Sequence, residues 1–250
     1  MKISEIKSFL ETVESMEDFL ALSLHEDARI GVQKLLKQKH NVLLKKEAMK
    51  QKFYDMNVYE RGVNSTLVAG IDEVGRGPLA GEVVAAAVIL NQEIIGLDDS
   101  KKLNKKVRNE LYKKIISTCD YGIGVASVEE IDEYNIYEAT KMAMRRAVEN
   151  LKVTPEHLLV DAMTLDIGIP ETKIIKGDSI SNSIAAASIL AKEHRDLLMR
   201  DYGVIYPVYG FHKNSGYGTK EHLDGLESYG VCPIHRKTFQ PIKDILNTLD

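Results

Sequence analysis

Three apolar segments of this chain end in acids. In GIDEVGRGPLAG (70–81) an apolar run delivers Asp72 and Glu73 into a glycine-rich turn. In HLLVDAM (157–163) a second run delivers Asp161, and in IIKGDSIS (174–181) a third delivers Asp178 just ahead of a helix. A carboxylate at the end of an apolar strand is costly to desolvate without a partner. If the three segments converge in one sheet, they gather up to four negative charges, which at neutral pH require divalent cations. Oxygen donors without His or Cys favour Mg²⁺ or Mn²⁺ over Zn²⁺. Each acid also has a plainer reading: Asp72 and Glu73 as turn residues, Asp161 as an ordinary strand end, Asp178 as a helix N-cap. The repeated strand-to-loop placement is what favours a metal site. One geometric condition applies. Neighbours in a regular strand point to opposite faces, so Asp72 and Glu73 share a site only if the strand bends or ends there. Gly70 and Gly75 permit that.

The elements that must position these acids follow from periodicity. LVAGID (67–72) and EVVAAAVIL (82–90) read as paired strands around the glycine-rich turn. YGIGVASV (121–128), HLLVD (157–161) and TKIIK (172–176) read as further strands. Residues 128–151 and 181–202 have helical period, the second with a small-residue face. Strands followed by alternation with helices predict an α/β fold, a mixed sheet with helices packed on it. Residues 1–60 hold one glycine and no proline, and predict two short helices and a long one. The expected domains are a helical extension over 1–63, a candidate duplex-binding element, and a catalytic domain over 64–250 with a helical C-terminal part.

Charge divides in the same place. Residues 1–63 carry a net +1 and residues 64–250 a net −5. The long N-terminal helix carries Lys34, Lys37, Lys39, Lys45, Lys46, Lys50 and Lys52 against Glu47 alone. That is either a solvated face or a basic strip for a phosphate backbone. The acidic larger part excludes a bulk nucleic-acid coater, which reads strongly basic. No window is apolar enough for a membrane span, and the acid-bearing N-terminus does not read as a secretory leader. Cys119 and Cys232 form no CxxC and read as reduced thiols of a cytoplasmic protein.

DEVGRGPLAG (72–81), DDSKKL (98–103), LLVDA (158–162), KGDSISNSIAAASILAKEHRD (176–196), YGFHKNSGYGTKEH (209–222) and HRKTF (235–239) together resemble bacterial type 2 ribonuclease H, the ribonuclease HII family. The resemblance spans roughly residues 67–240. It implies a ribonuclease-H-like fold and endonucleolytic cleavage of RNA paired with DNA, including nicking 5′ of a single ribonucleotide embedded in duplex DNA. It thereby implies a part in ribonucleotide removal and DNA replication or repair. It places the family's metal-binding, catalytic acids on Asp72, Glu73, Asp161 and Asp178, with two Mg²⁺ or Mn²⁺ ions in the substrate complex. Such a pair activates a water and stabilises the leaving 3′-oxygen in an in-line displacement. Asp196, further along the same helix as HRD, is assigned to structure.

Telling RNA from DNA requires reading the 2′-OH. Gly75-Arg76-Gly77 offers close backbone approach and one guanidinium suited to phosphate, and the resemblance places this loop on the ribonucleotide at the cut. Tyr217 stands between two glycines, and the resemblance makes it the junction-sensing tyrosine; its plainer reading is a surface turn residue. Ser100 and Lys101, with Lys102, are either solvated or grip a phosphate, and Lys176 and Lys192 are weaker candidates of the same kind. His212, Lys213 and His222 have no assigned role. The expected partners are RNA–DNA hybrids and ribonucleotide-containing duplexes, with no membrane, no obligate protein partner and a monomeric state. Two other classes remain open: a binding module with a decayed site, which four intact acids disfavour, and a small-phosphoester phosphatase, which the Gly-Arg-Gly loop and Tyr217 disfavour. Nicking of a duplex with one ribonucleotide, in Mg²⁺ and in EDTA, separates all three.

Overall fold

The run VVAAAVI (Val83–Ile89) has no polar side, the pattern of a strand covered on both faces. The computed structural model, which describes residues 1–248, covers it that way: every residue of the run is buried. It is β2 of a five-stranded sheet made by β1 (Val68–Val74), β2 (Val83–Ile89), β3 (Asp120–Ala126), β4 (His157–Asp161) and β5 (Glu171–Ile174). The strand order is β3-β2-β1-β4-β5. β2 runs antiparallel to β1 and β3, whereas β1, β4 and β5 are parallel.

The chain forms two compact units, one ending at Asp55 and one starting at Met56. The first contains α1 (Ile3–Thr12), α2 (Met16–Leu20), a short 3-10 turn and α3 (Ile30–Asp55). Ile6 and Leu10 of α1, Phe19 of α2, and Val32, Leu36 and Leu43 of α3 make its small core. These are the two short helices and one long helix that periodicity predicts. Lys34, Lys37, Lys45, Lys46 and Lys50 are exposed along α3.

The second unit contains α4 (Val58–Gly62), the sheet, α5 (Lys105–Thr118), α6 (Val128–Glu149), α7 (Asn182–Ile205), α8 (Phe211–Asn214), α9 (Lys220–Tyr229) and α10 (Ile242–Asn247). Ala139, Ala143 and Ala147 of α6 pack with Ala69, Ile71, Ala85 and Ala87 on one sheet face. Ile184 of α7 packs with Val68 and Leu159 on the other. α7 lies so close that a Cβ on Gly70 would come within 2.1 Å of the Ser183 backbone. Only glycine admits the helix there, and the small-residue face of α7 is the matching half.

Three details differ from the sequence reading. α5 was not expected, although Asn104 caps it by accepting the Val107 N–H. α6 is kinked at Asn135, whose φ is 69°. The last strand stops at Ile174, because Lys176 is left-handed (φ 58°), and Asp178 sits in a 3-10 turn, Gly177–Ser179, instead of on a strand. The N-cap of α7 is Ser181, not Asp178. Among the described residues no helix is long and apolar enough to cross a membrane. Leu249 and Asp250, which close the expected second domain, lie outside the described residues.

Candidate active site

Pairing of β1 with β4 ends at Ile71 and Val160. Asp72, Glu73 and Asp161 therefore stand at the carboxyl ends of two parallel strands, where open sheets place their sites. By alternation Asp72 and Asp161 share the α7 face and Glu73 takes the other. The three still meet beyond the last β1–β4 pair, although β1 stays paired with β2 as far as Val74. Each offers an oxygen, and the three oxygens lie within 4.8 Å of one another. The Asp72 carboxylate turns along the strand and accepts the Glu73 backbone N–H at 2.8 Å. Asp161 is fixed by the Gly177 N–H, 2.7 Å from its Oδ1. Asp178 stands outside this triple, near enough for Asp161 and Asp99 to raise its pKa after burial has done so.

The electrostatics of the triple are unfavourable as they stand. Asp72 is 5% exposed, and burial, then Glu73 and Asp161, push its pKa well up. Burial also raises Glu73, against the opposing pull of Arg76, and raises Asp161. One oxygen of Glu73, Oε2, is buried and has no hydrogen-bond partner. An all-oxygen cluster with an unpartnered buried oxygen fits a hard divalent cation.

Beside the acids lies a cleft of about 360 Å³ lined by Glu73, Gly75, Arg76, Gly77, Ser100, Lys101, Lys192 and Tyr217, among others. Gly75 has φ +96°, and a Cβ there would strike Arg195 at 2.2 Å, so glycine is required at this bend. Arg76 approaches Glu73 at 3.5 Å. Tyr217 is half exposed, and its ring lies 3.5 Å from where a Cβ on Gly77 would sit. The Gly-Arg-Gly loop and Tyr217 thus face each other. Ser100 differs from the solvated loop residue the sequence allows: it is buried and its hydroxyl bonds Ser188 at 2.9 Å. Lys101 puts positive charge near Asp161 and Asp178. Lys102 reaches Ser179 at 2.9 Å, and Lys192 is bound to Asp196 at 2.6 Å. Asp196 also pairs with Arg108 at 3.7 Å, the structural role expected of it.

Sequence reasoning passed over the residues that hold the loop. Arg195 donates to the carbonyls of Glu82, Ser215 and Ala80. Arg236 donates to those of Gly81, Arg76 and Gly75. Their signal lay in HRD and HRKTF, where an arginine stands inside an otherwise unexplained motif. Glu60 was also missed: it accepts from Ser181 and Ser183 and so holds the start of α7.

The profile described as "Ribonuclease HII" matches residues 69–242, and the one described as "Ribonuclease HII N-terminal domain" matches residues 2–64. A ribonuclease HII of Staphylococcus saprophyticus is 52% identical over 252 residues, covering 98% of both chains. One of Pediococcus pentosaceus is also 52% identical over 252 residues, with the same coverage. Among solved structures, ribonuclease H2 of Pyrococcus horikoshii is 27% identical with a TM-score of 0.62, covering 72% of this chain and 97% of that one. The likeness to the bacterial relatives therefore includes the N-terminal helices. With its acid cluster, its mixed sheet and both of its segments matched, the chain belongs to the ribonuclease HII family, metal-dependent enzymes that hydrolyse RNA paired with DNA.

Proposed function

We propose that the chain nicks duplex DNA on the 5′ side of a single embedded ribonucleotide, and cuts longer RNA–DNA hybrids, by a two-metal mechanism. The observation that carries this reading is the placement of three close carboxylates, Asp72 buried and Glu73 and Asp161 half-buried, beside a cleft walled by Gly75-Arg76-Gly77 and Tyr217. Asp72, Glu73 and Asp161, with Asp178 beside them, would hold Mg²⁺ or Mn²⁺. Held by these acids, a pair of such cations would supply activation of a water and stabilisation of the leaving 3′-oxygen.

The protein's own groups supply recognition. Arg236 takes up the carbonyls of Gly75 and Arg76. The N–H groups of Arg76 and Gly77 have no internal acceptor among the described residues. They suit a ribose 2′-OH, the group that separates RNA from DNA. Arg76, about two-fifths exposed, is the phosphate ligand, with Lys101 on the cleft wall as a second cation. The ring of Tyr217 stacks on the sugar or base at the junction. Lys34, Lys37 and Lys45 of α3 add sequence-independent attraction to the duplex. Changing these three lysines to Gln should flatten the dependence of binding on salt by a slope of about 2–3, without altering turnover at saturation.

The deciding assay uses a DNA duplex with one internal ribonucleotide. Nicking 5′ of the ribose in Mg²⁺ or Mn²⁺, abolished by EDTA, supports the reading. Cleavage of continuous hybrids with no nicking of this substrate removes the finer claim, and cleavage that survives EDTA removes the metal mechanism.

A further inference from the structure

His222 and His235 are both fully buried, 0% exposed, in a box formed by the rings of Tyr209 and Phe211. With both rings neutral, their hydrogen bonds admit one proton arrangement. His222 Nδ1 lies 2.9 Å from the backbone carbonyl of Tyr217, which can only accept, so Nδ1 carries the proton. His222 Nε2 is then bare, and it lies 2.9 Å from His235 Nε2, which must therefore donate. That leaves His235 Nδ1 bare, and it accepts the Cys232 N–H at 2.8 Å; its 3.3 Å approach to the Cys232 carbonyl is the longer contact. Both rings are neutral, and each nitrogen has a partner. Burial fits this state, lowering the pKa of His222 and that of His235 to about 4.

The pair joins the two walls of the cleft. At one end is the backbone of Tyr217, whose carbonyl also takes the Thr219 N–H at 2.8 Å. At the other, the residue after His235 is Arg236, whose guanidinium holds the carbonyls of Gly75 and Arg76. Leu79, on the return limb of the glycine loop, donates to Gly216 at 2.8 Å and accepts from Arg236 N at 2.9 Å. The segments around 79–81, 216–217 and 235–236 are thus tied into one block.

We propose that His222 is a positioning residue, a neutral strut that with His235 sets the gap between Tyr217 and the Gly-Arg-Gly loop and so governs discrimination of an isolated ribonucleotide. It touches no reacting atom. The inference rests on the reading that Tyr217 contacts the substrate. Its consequence is selective. A shift of the Tyr217 wall alters the fit of a lone ribonucleotide, where the recognition surface is a single ribose. A continuous hybrid offers the cleft many registers and is less sensitive.

Two isosteric variants of the full chain test this. In His222→Asn the amide nitrogen overlies Nδ1 and keeps the donor to Tyr217. In His222→Gln the amide oxygen can overlie Nε2, which keeps an acceptor for His235 and loses that donor. The measurement is kcat/KM on a single-ribonucleotide duplex and on a continuous hybrid, with melting temperature as a fold control and Tyr217→Ala alongside. The expected result is a loss of about tenfold or more in the single-to-hybrid ratio for both variants, because each severs one of the two bonds of the strut. Equal losses on both substrates, or a ratio kept in both variants, would overturn the strut. A ratio lost in Tyr217→Ala but kept in His222→Gln overturns the strut and leaves the Tyr217 reading standing. A ratio kept in Tyr217→Ala overturns both. Should His222→Gln fail to fold, histidine ¹⁵N NMR of the wild-type chain decides. The Nδ1–H form of His222 and the Nε2–H form of His235 are expected, and a charged ring or the opposite tautomers would overturn the assignment.

Discussion

Asp72 and Arg236 are comparably buried, 5% and 0% exposed, and both serve one cleft. Burial displaces both from their ordinary pKa ranges, raising the acid and lowering the guanidinium. Their surroundings then differ. All three nitrogens of Arg236 donate to carbonyls, as do those of Arg195. The acids crowd within 4.8 Å of one another and leave Glu73 Oε2 unpartnered. A buried charge whose hydrogen bonds are complete is scaffold. Glu60 and Glu82 also each leave one oxygen unpartnered, but among the described residues only at Asp72, Glu73 and Asp161 does that coincide with crowded carboxylates, the combination that suits a cation.

The largest expected effect breaks the acid side. Asp161→Asn keeps the shape and the Gly177 hydrogen bond and removes one charge. Turnover should fall at least about a hundredfold with near-normal duplex binding. Activity above about a tenth of wild type would remove Asp161 from the site. The matching change on the scaffold side is Arg236→Met. It strips donors from the carbonyls of Gly75, Arg76 and Gly81 and should cost about 2–4 kcal/mol of fold stability, read as a lower denaturant midpoint. A midpoint equal to wild type would mean that the loop holds itself.

Tyr217→Ala sharpens the comparison at the cleft rim. The ring is half exposed, so stability should hardly change, while cutting at a lone ribonucleotide should weaken by about 1–3 kcal/mol of lost stacking. Unchanged cleavage of both substrate types would make it a surface residue. A smaller effect concerns pH. The folded-state pKa values of Asp72, Glu73 and Asp161 are raised, so the folded chain binds these protons more tightly than the unfolded chain. Their contribution is fully present below the ordinary carboxylate range and is lost as pH rises through the raised values. In chelator, melting temperature should therefore fall across that window, and divalent cation should remove the fall.

The acids were legible in the sequence because a carboxylate at the end of an apolar run is locally anomalous. The sheet was legible because β2 has no polar side and β4 ends on Asp161. The arginines were not, since their partners lie more than a hundred residues away for Glu82, Ala80 and the Gly75 loop, and no local pattern signals a carbonyl acceptor. The place of Asp178 was misread for a local reason: nothing in TKIIKGD shows that Lys176 turns left-handed and ends the strand. The histidine pair escaped because its bond joins α9 to the loop before α10 and depends on which ring nitrogen carries the proton.

The central claim is that the acid cluster is kept incomplete for a cation. The most direct measurement is the melting temperature of wild type and Asp161→Asn at neutral pH, each in EDTA and in Mn²⁺. In EDTA the variant should melt above wild type, because one half-buried, mutually repelled charge is gone. Mn²⁺ should then raise wild type by more than it raises the variant. A variant that melts lower than wild type in EDTA and gains the same from Mn²⁺ would contradict the claim.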